Sequence, residues 1–280
     1  MTITSQIGLA PGMFHIRPVR DIGAGGLGRV DEVVVTASNQ SYAVGTRFAR
    51  KRLGAQWAND PSARARFDRE IDAMSSMHHA MIVRCMGYNT PGYGERYYLM
   101  PLYWGSLRDW LTRDRRGTQW KLAASIGAGL ANALSHAHSM NFCHRDLKPE
   151  NILMDQAGHL AIADWGLGQF IHKTSKVLNL TRGGLGTEYY CSIEQWNTGK
   201  CGPAGDVYSL GVTLAELAIG YQTPISPVGV GISHDIVPNS SPGAVQFNAV
   251  IKTMTNVMAQ RRYQTMADVE SALQTAVAFG

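Results

Sequence analysis

At 280 residues, with 45% hydrophobic and 17% charged side chains, the chain is globular in composition and long enough for one large domain or two. Lys and Arg number 26 against 21 Asp and Glu, a formal charge of +5, and no basic run is interleaved with aromatics, so nucleic acid is not the expected partner. The opening MTITSQIGLAPGMF lacks the basic and apolar regions of a signal peptide, and VYSLGVTLAELAIG, which carries Glu216, is too short to span a bilayer; the expected location is cytoplasmic, with no membrane segment.

Residues 1–12 read as an N-terminal tail. Strand-like patterns then run through MFHIRPVRDI, GRVDEVVVTA and SYAVGTRFARKRL, with turn chemistry at Gly23–Gly28 and Ser38–Asn39–Gln40. A helix begins in DPSARARFDREIDAMSSM, where Asp60 suits the N-cap and Pro61 the first helical position, and where Phe67, Ile71 and Met74 recur on one face. IVRCMGY and RYYLMPL are two more strand candidates. From about residue 106 the pattern turns helical, in SLRDWLTR, WKLAASIGAGLANALSHAHSM, AGDVYSLGVTLAELAIG and TMADVESALQTAV. The Pro/Gly/Ser-rich stretch 223–243 reads as a surface connection with little regular structure. Cys85, Cys143, Cys191 and Cys201 form no C-x-x-C pair and have no histidines at zinc spacing, so they are expected to be reduced thiols filling small core spaces. A strand-rich first half and a helical second half imply two lobes joined near Pro101–Gly105.

GAGGLGRV sets Gly23, Gly25 and Gly28 in G-x-G-x-x-G-x-V, ending on Val30. A dinucleotide fingerprint requires a helix after the last glycine, whereas the β-branched, alternating RVDEVVV predicts a strand. The motif is therefore a glycine hairpin, either a plain tight turn or a lid whose backbone N–H groups approach phosphates. Farther on, CHRDLKPENILM packs six hydrogen-bonding side chains into eight positions directly before Ile152, Leu153 and Met154. A solvated loop has no need of Leu153, and a buried strand does not tolerate unpaired Asp146 and Lys148. That combination describes a site.

HRDLKPEN resembles the catalytic loop of the eukaryotic-like (Hanks-type) serine/threonine protein kinases, and the chain looks like a bacterial member. DWG at Asp164–Gly166 sits where that family has D-F-G, GTEYYCSIE resembles G-T-x-x-Y-x-A-P-E, and DVYSLGVTLAEL resembles the family's buried helix with its structural aspartate. The motifs occur in the family's order from about residue 14 to 278. The resemblance implies an α+β, bilobal kinase fold spanning 1–280 as one kinase domain: a small antiparallel-sheet N-lobe with one helix (about 13–100), a hinge (101–105) and a larger helical C-lobe (106–280).

It also implies transfer of the ATP γ-phosphate to Ser/Thr hydroxyls of protein substrates, autophosphorylation included, with Mg²⁺ or alternatively Mn²⁺. Phosphoryl transfer leaves a protein mainly positioning and charge neutralisation. On that basis Asp146 accepts or orients the proton of the attacking hydroxyl, and Lys148 reaches the transferring phosphate. Asn151 and Asp164 hold the metal, being hard oxygen donors for a hard cation. Thr187 bonds to Asp146 and Lys148. YAVG is a decoy for the family's V-A-I-K; FARK fits better, and strand alternation puts Ala49 and Lys51 on one face with Arg50 and Arg52 on the other. Lys51 then reaches the phosphates and pairs with Glu70. ATP is expected among Gly23, Gly25, Gly28, Val30, Ala49, Met100, Leu102, Tyr103 and Leu153, the last forming the floor beneath adenine.

Several positions depart from the pattern. Trp165 replaces Phe, Ser192–Ile193 replace Ala-Pro, Met81 replaces the Asn of H-x-N, and Gln169 is neutral where a basic residue is usual. Glu194 is still expected to pair with Arg262. Arg145 implies control by an activation-segment phosphate on Thr174, Ser175 or Thr181, but with Gln169 neutral the usual second cation is missing, although Lys173 or Arg182 could swing in, so substantial activity without that phosphate is expected. Two alternatives stay open, a pseudokinase-like ATP-binding module and a small-molecule kinase. The first predicts loss of Lys51, Asp146, Asn151 or Asp164, all of which are present, and HRDLKPEN and GTEYYCSIE argue against the second.

Overall fold

The computed structural model describes residues 8–9, 15–25, 27–37, 42–89, 95–114, 118–165, 187–199, 201–220 and 231–280. They form two compact units, the first comprising 1–78 and 83–104, the second 79–82 and 105–280.

The first unit is built on a six-stranded sheet in the order β1-β5-β6-β4-β3-β2. Its strands are β1 (Gly8–Leu9), β2 (His15–Gly25), β3 (Gly28–Ala37), β4 (Arg47–Leu53), β5 (Gly87–Asn89) and β6 (Tyr97–Met100). All neighbours are antiparallel except β1 and β5. Gly8–Leu9, in the stretch read as a tail, thus add an edge strand. The glycine hairpin closes at Gly25 opposite Gly28. A Cβ at Gly28 would stand 2.4 Å from the Arg52 carbonyl oxygen on β4, so only glycine fits there. Val33, Val35, Phe48 and Leu99 form a buried apolar cluster on this sheet, joined by half-buried Ile16, Tyr42, Met86 and Tyr97.

Helix α1 (Pro61–Ser76) starts where the sequence places it. The Asp60 carboxylate accepts the N–H groups of Ser62 and Ala63, and Phe67, Ile71 and Met74 are buried with Glu70. Two strand readings are corrected. YAVG is not strand: Gly45 adopts φ +91°, Val44 is exposed, and β4 begins only at Arg47. IVRCMGY yields only Gly87–Asn89, because Ile82 instead bridges to Ile162 in the second unit. Buried Val83 and Cys85 had supplied the alternating pattern.

The second unit holds α2 (Leu107–Arg113), opened by a Ser106/Asp109 capping box, and α3 (Trp120–Ser139). A small antiparallel sheet of β7 (Gly105–Ser106), β8 (Ile152–Met154) and β9 (Leu160–Ile162) follows. Then come α4 (Thr187–Tyr190), α5 (Ile193–Thr198), α6 (Pro203–Ile219), α7 (Pro242–Met254) and α8 (Met266–Ala278). Helix α6 is buried almost along its whole length, which explains why its sequence is mostly apolar, with Asp206 and Glu216 as buried exceptions. A Cβ at Gly127 of α3 would stand 2.5 Å from Leu214 of α6 and 3.0 Å from Leu273 of α8, so three helices meet at a residue without a side chain.

Helix α7 corrects the reading of 223–243 as a connection that ends in loop. Ser241 caps it and Pro242 occupies its first turn, the same start signal that Asp60–Pro61 gives α1. Upstream of it, Ile232 and Val237 are buried, and the Asn248 side chain accepts the N–H groups of Ile236 and Val237. That part of the connection is pinned to the core.

Candidate active site

In the first unit, sheet register sorts the side chains. Val30, Lys51 and Tyr98 stand opposite one another across β3, β4 and β6, as do Glu32, Ala49 and Met100. Opposed residues share a face, so Val30, Ala49, Lys51 and Met100 line one side of the sheet. Arg50 and Arg52 lie on the other, where both meet Asp31. Lys51 is buried, and its Nζ donates to Glu70 Oε1 at 2.9 Å. Glu70 is wholly buried on α1, and the Tyr98 hydroxyl donates to the same Oε1 at 3.0 Å. Gly23 pairs with Val30 along the glycine hairpin. Leu102 and Tyr103, just after β6, are half-buried.

In the second unit, Asp146 is buried and Lys148 Nζ donates to its Oδ2 at 2.9 Å. Asn151 Nδ2 donates to the Asp146 carbonyl at 2.7 Å and to Oδ2 at 3.1 Å, so the amide is oriented with Oδ1 as its remaining acceptor. His144, fully buried, spans the loop. Its Nε2 meets the Ala163 carbonyl at 2.7 Å, which places the ring proton there, and Nδ1 accepts the Asp146 N–H at 3.3 Å. Ala163 N–H in turn donates to the Asn151 carbonyl. Next in sequence, Asp164 is half-buried at φ +61°, a left-handed conformation that Asp and Asn adopt more readily than other non-glycine residues. Trp165 is buried, its indole N–H donating to the Ile162 carbonyl at 3.1 Å and its ring edge-on to His144. Leu153 is half-buried in β8, between Ser106 and Ala161.

One acidic group fixes this loop to a helix, and a second ties α5 to the segment before α8. Asp206, in the first turn of α6, accepts the backbone N–H groups of His144 and Arg145, both at 2.8 Å. Glu194 of α5 forms a two-pronged pair with Arg262 at 2.6 and 3.0 Å. Arg262 has no exposure and also donates to the carbonyls of Ala204, Asn256 and Val257.

A family model described as the protein kinase domain matches residues 16–237. The chain belongs to the protein kinase domain family. It is 29% identical over 271 residues to the serine/threonine-protein kinase PrkC of Bacillus subtilis, covering 92% of this chain and 40% of that protein. Against the serine/threonine-protein kinase PknB of Mycobacterium tuberculosis the identity is 31% over 237 residues, or 80% and 38% of the two chains. The chain thus spans about two fifths of the length of these bacterial relatives. The crystal structure of the Mycobacterium tuberculosis PknI kinase domain superposes with a TM-score of 0.68 at 19% identity, covering 94% of this chain and 96% of that one. Kinase fold and bacterial Hanks-type kinship, both implied by the motifs, therefore stand.

One kinase-domain cluster escaped the sequence reading. Arg108 of α2 donates to Glu150, Glu216 and the Tyr190 hydroxyl, and Tyr190 in turn bonds to Glu216. Burial first, and then the Glu216 carboxylate, push the Tyr190 phenol well above its ordinary range. The available signal was Glu216 itself, since a carboxylate inside an otherwise apolar helix requires a cation. The arginine side of the pair, 108 positions upstream, carried no such mark. The activation-segment positions Gln169, Lys173, Thr174, Ser175, Thr181 and Arg182 lie outside the described residues, as do Gly166 and the Thr187 and Gly25 side chains.

Proposed function

We propose that the chain transfers the γ-phosphoryl group of ATP to Ser or Thr hydroxyls of proteins, its own included. The observation that carries this reading is the Asp146 carboxylate, buried and held by both Lys148 and Asn151. The substrate hydroxyl donates its proton to Asp146 while its oxygen bonds to phosphorus, and the bond to the ADP oxygen breaks. Lys148 balances charge on the transferring group. Lys51, oriented by Glu70, neutralises the non-transferring phosphates, and the Gly23–Gly28 hairpin brings backbone N–H groups against them. Val30, Ala49, Met100, Leu102, Tyr103 and Leu153 receive the adenine.

The donor set suits Mg²⁺, because Asn151 Oδ1 and the Asp164 carboxylate are hard oxygens and the Asn151 amide is already turned by Asp146. Bound there, the metal supplies charge neutralisation for the phosphates; Mn²⁺ has the same donor preference. The proposal puts this chemistry in the cytoplasm, in keeping with four cysteines that form no disulfide among the described residues. Its test is radiolabelled ATP with the protein alone and with generic protein substrates, followed by acid hydrolysis. Label on phosphoserine or phosphothreonine is the expected result. ATP binding without any transfer would sink the reading.

A further inference from the structure

The spacing of cysteines and histidines conceals a cluster that the fold assembles. His138 closes α3, Cys143 lies directly before His144, and Asp206 sits in the first turn of α6. One imidazole nitrogen, the thiol sulfur and a carboxylate oxygen all lie within 4.8 Å of one another. Asp206 is wholly buried, while His138 and Cys143 are half-buried, which leaves a route from solvent. We propose that His138, Cys143 and Asp206 bind a divalent transition metal of the zinc type, with water as the fourth ligand.

The donor atoms fit. Zinc bonds to nitrogen, oxygen and sulfur place tetrahedral ligand atoms about 3.3–3.6 Å apart. His138 Nε2 and Asp206 Oδ2 stand 2.8 Å apart and need to open by roughly 0.5 Å, and the thiol needs to close by about 1.5 Å at most. The two carboxylate oxygens of Asp206 offer about four acceptor sites. Its bonds to the His144 and Arg145 N–H groups use two of them, and the metal replaces the His138 contact, so both backbone bonds persist. Those N–H groups then serve as the outer contacts that orient a ligating carboxylate. Without metal the thiol stays protonated, since burial, and then Asp206, push it up to about 11. An N/S/O set of this kind selects zinc-like ions, whereas Asn151 and Asp164 offer only oxygen.

That contrast separates this proposal from the kinase assignment. Co²⁺ is titrated into the full chain in excess Mg²⁺, without nucleotide. One equivalent is expected to produce thiolate-to-Co²⁺ charge-transfer absorption and tetrahedral visible bands, both abolished by Zn²⁺. Cys143→Ser should lose the charge-transfer band, His138→Gln should weaken Co²⁺ binding about tenfold or more, and Cys85→Ser should leave both unchanged. A wild-type protein with no thiolate band overturns the proposal whatever the variants do. So does a band that survives in Cys143→Ser.

Discussion

Asp206 Oδ1 accepts the backbone N–H of Arg145 at 2.8 Å across 61 positions of sequence. Arg145 adopts φ +67°, a conformation that disfavours a non-glycine residue by about 1–2 kcal/mol. Its carbonyl is held as well, by Gln195 Nε2 at 2.6 Å. The residue before Asp146 is thus pinned on both its peptide groups by helices that follow much later in the chain.

Asp206→Ala leaves the buried His144 and half-buried Arg145 N–H groups without this acceptor, at about 1–3 kcal/mol for each donor. Denaturant unfolding should show a loss of about 2–6 kcal/mol for the two donors together. Asp206→Asn, which keeps one acceptor oxygen, should lose less. Equal losses for the two variants would mean that neither the side-chain volume nor a single acceptor oxygen suffices and that the whole carboxylate is required.

Lys51 and Glu70 form a buried pair, and deleting one partner of such a pair typically costs about 3–5 kcal/mol because the other charge is stranded. Lys51→Met should therefore remove phosphoryl transfer and lower stability together. Adding Glu70→Gln should recover much of the stability and none of the transfer. Arg52→Met should be mild on both counts, since Arg52 is on the opposite face with Asp31 and Glu95. A double variant that regains transfer would mean Lys51 serves only to neutralise Glu70.

Asp146→Asn keeps the shape of the loop and removes the proposed proton acceptor. General bases contribute about 10²–10⁴-fold, so turnover should fall at least that far while ATP affinity holds. Near-normal turnover would remove Asp146 from the reaction.

How much of this was legible depended on the range of the interaction. Asp60–Pro61 announces α1 locally, and alternation within FARKRL separates Lys51 from Arg50 and Arg52 because a strand's period is two. Ser241–Pro242 carried the same local signal for α7, and the Pro/Gly/Ser richness around it masked the start. The Arg108–Glu216–Tyr190 cluster joins three distant segments and has no local pattern to read. His138, Cys143 and Asp206 are scattered in the same way, and only packing of α3 against α6 brings them together.

The Glu194–Arg262 pair predicts a pH effect with a definite sign. Burial is the largest single influence and raises the Glu194 carboxyl, but the Arg262 hydrogen bonds and charge, together with its own backbone N–H and the Ser192 hydroxyl, outweigh it and hold the group below the ordinary carboxylate value of 4.5. The unfolded chain therefore takes up this proton first as pH falls. The stabilisation is fully present above the ordinary value and is lost as pH drops towards the folded one. Glu194→Gln should flatten the acid side of the stability profile and lower stability at neutral pH, where the unexposed Arg262 loses its counter-charge. An unchanged acid limb would assign that slope to other carboxylates.

Trp165 carries a prediction about dependence on phosphorylation. Its indole N–H reaches the Ile162 carbonyl, and its ring stands edge-on to His144 with centroids 4.9 Å apart, so the residue after Asp164 is tied to both β9 and the catalytic loop. Phenylalanine at this position has no donor for that carbonyl, a loss of about 0.5–1.5 kcal/mol before any packing change. An anchor of that size favours one placement of Asp164 without help from a phosphate. Wild-type protein treated with phosphatase should therefore keep more than a tenth of its initial rate on an added substrate, measured before rephosphorylation. Trp165→Phe should depend more steeply on phosphorylation, recovering activity only when the segment is modified. A drop of more than tenfold in dephosphorylated wild type, about 1.4 kcal/mol of barrier, would show that the phosphate rather than the indole sets the active arrangement.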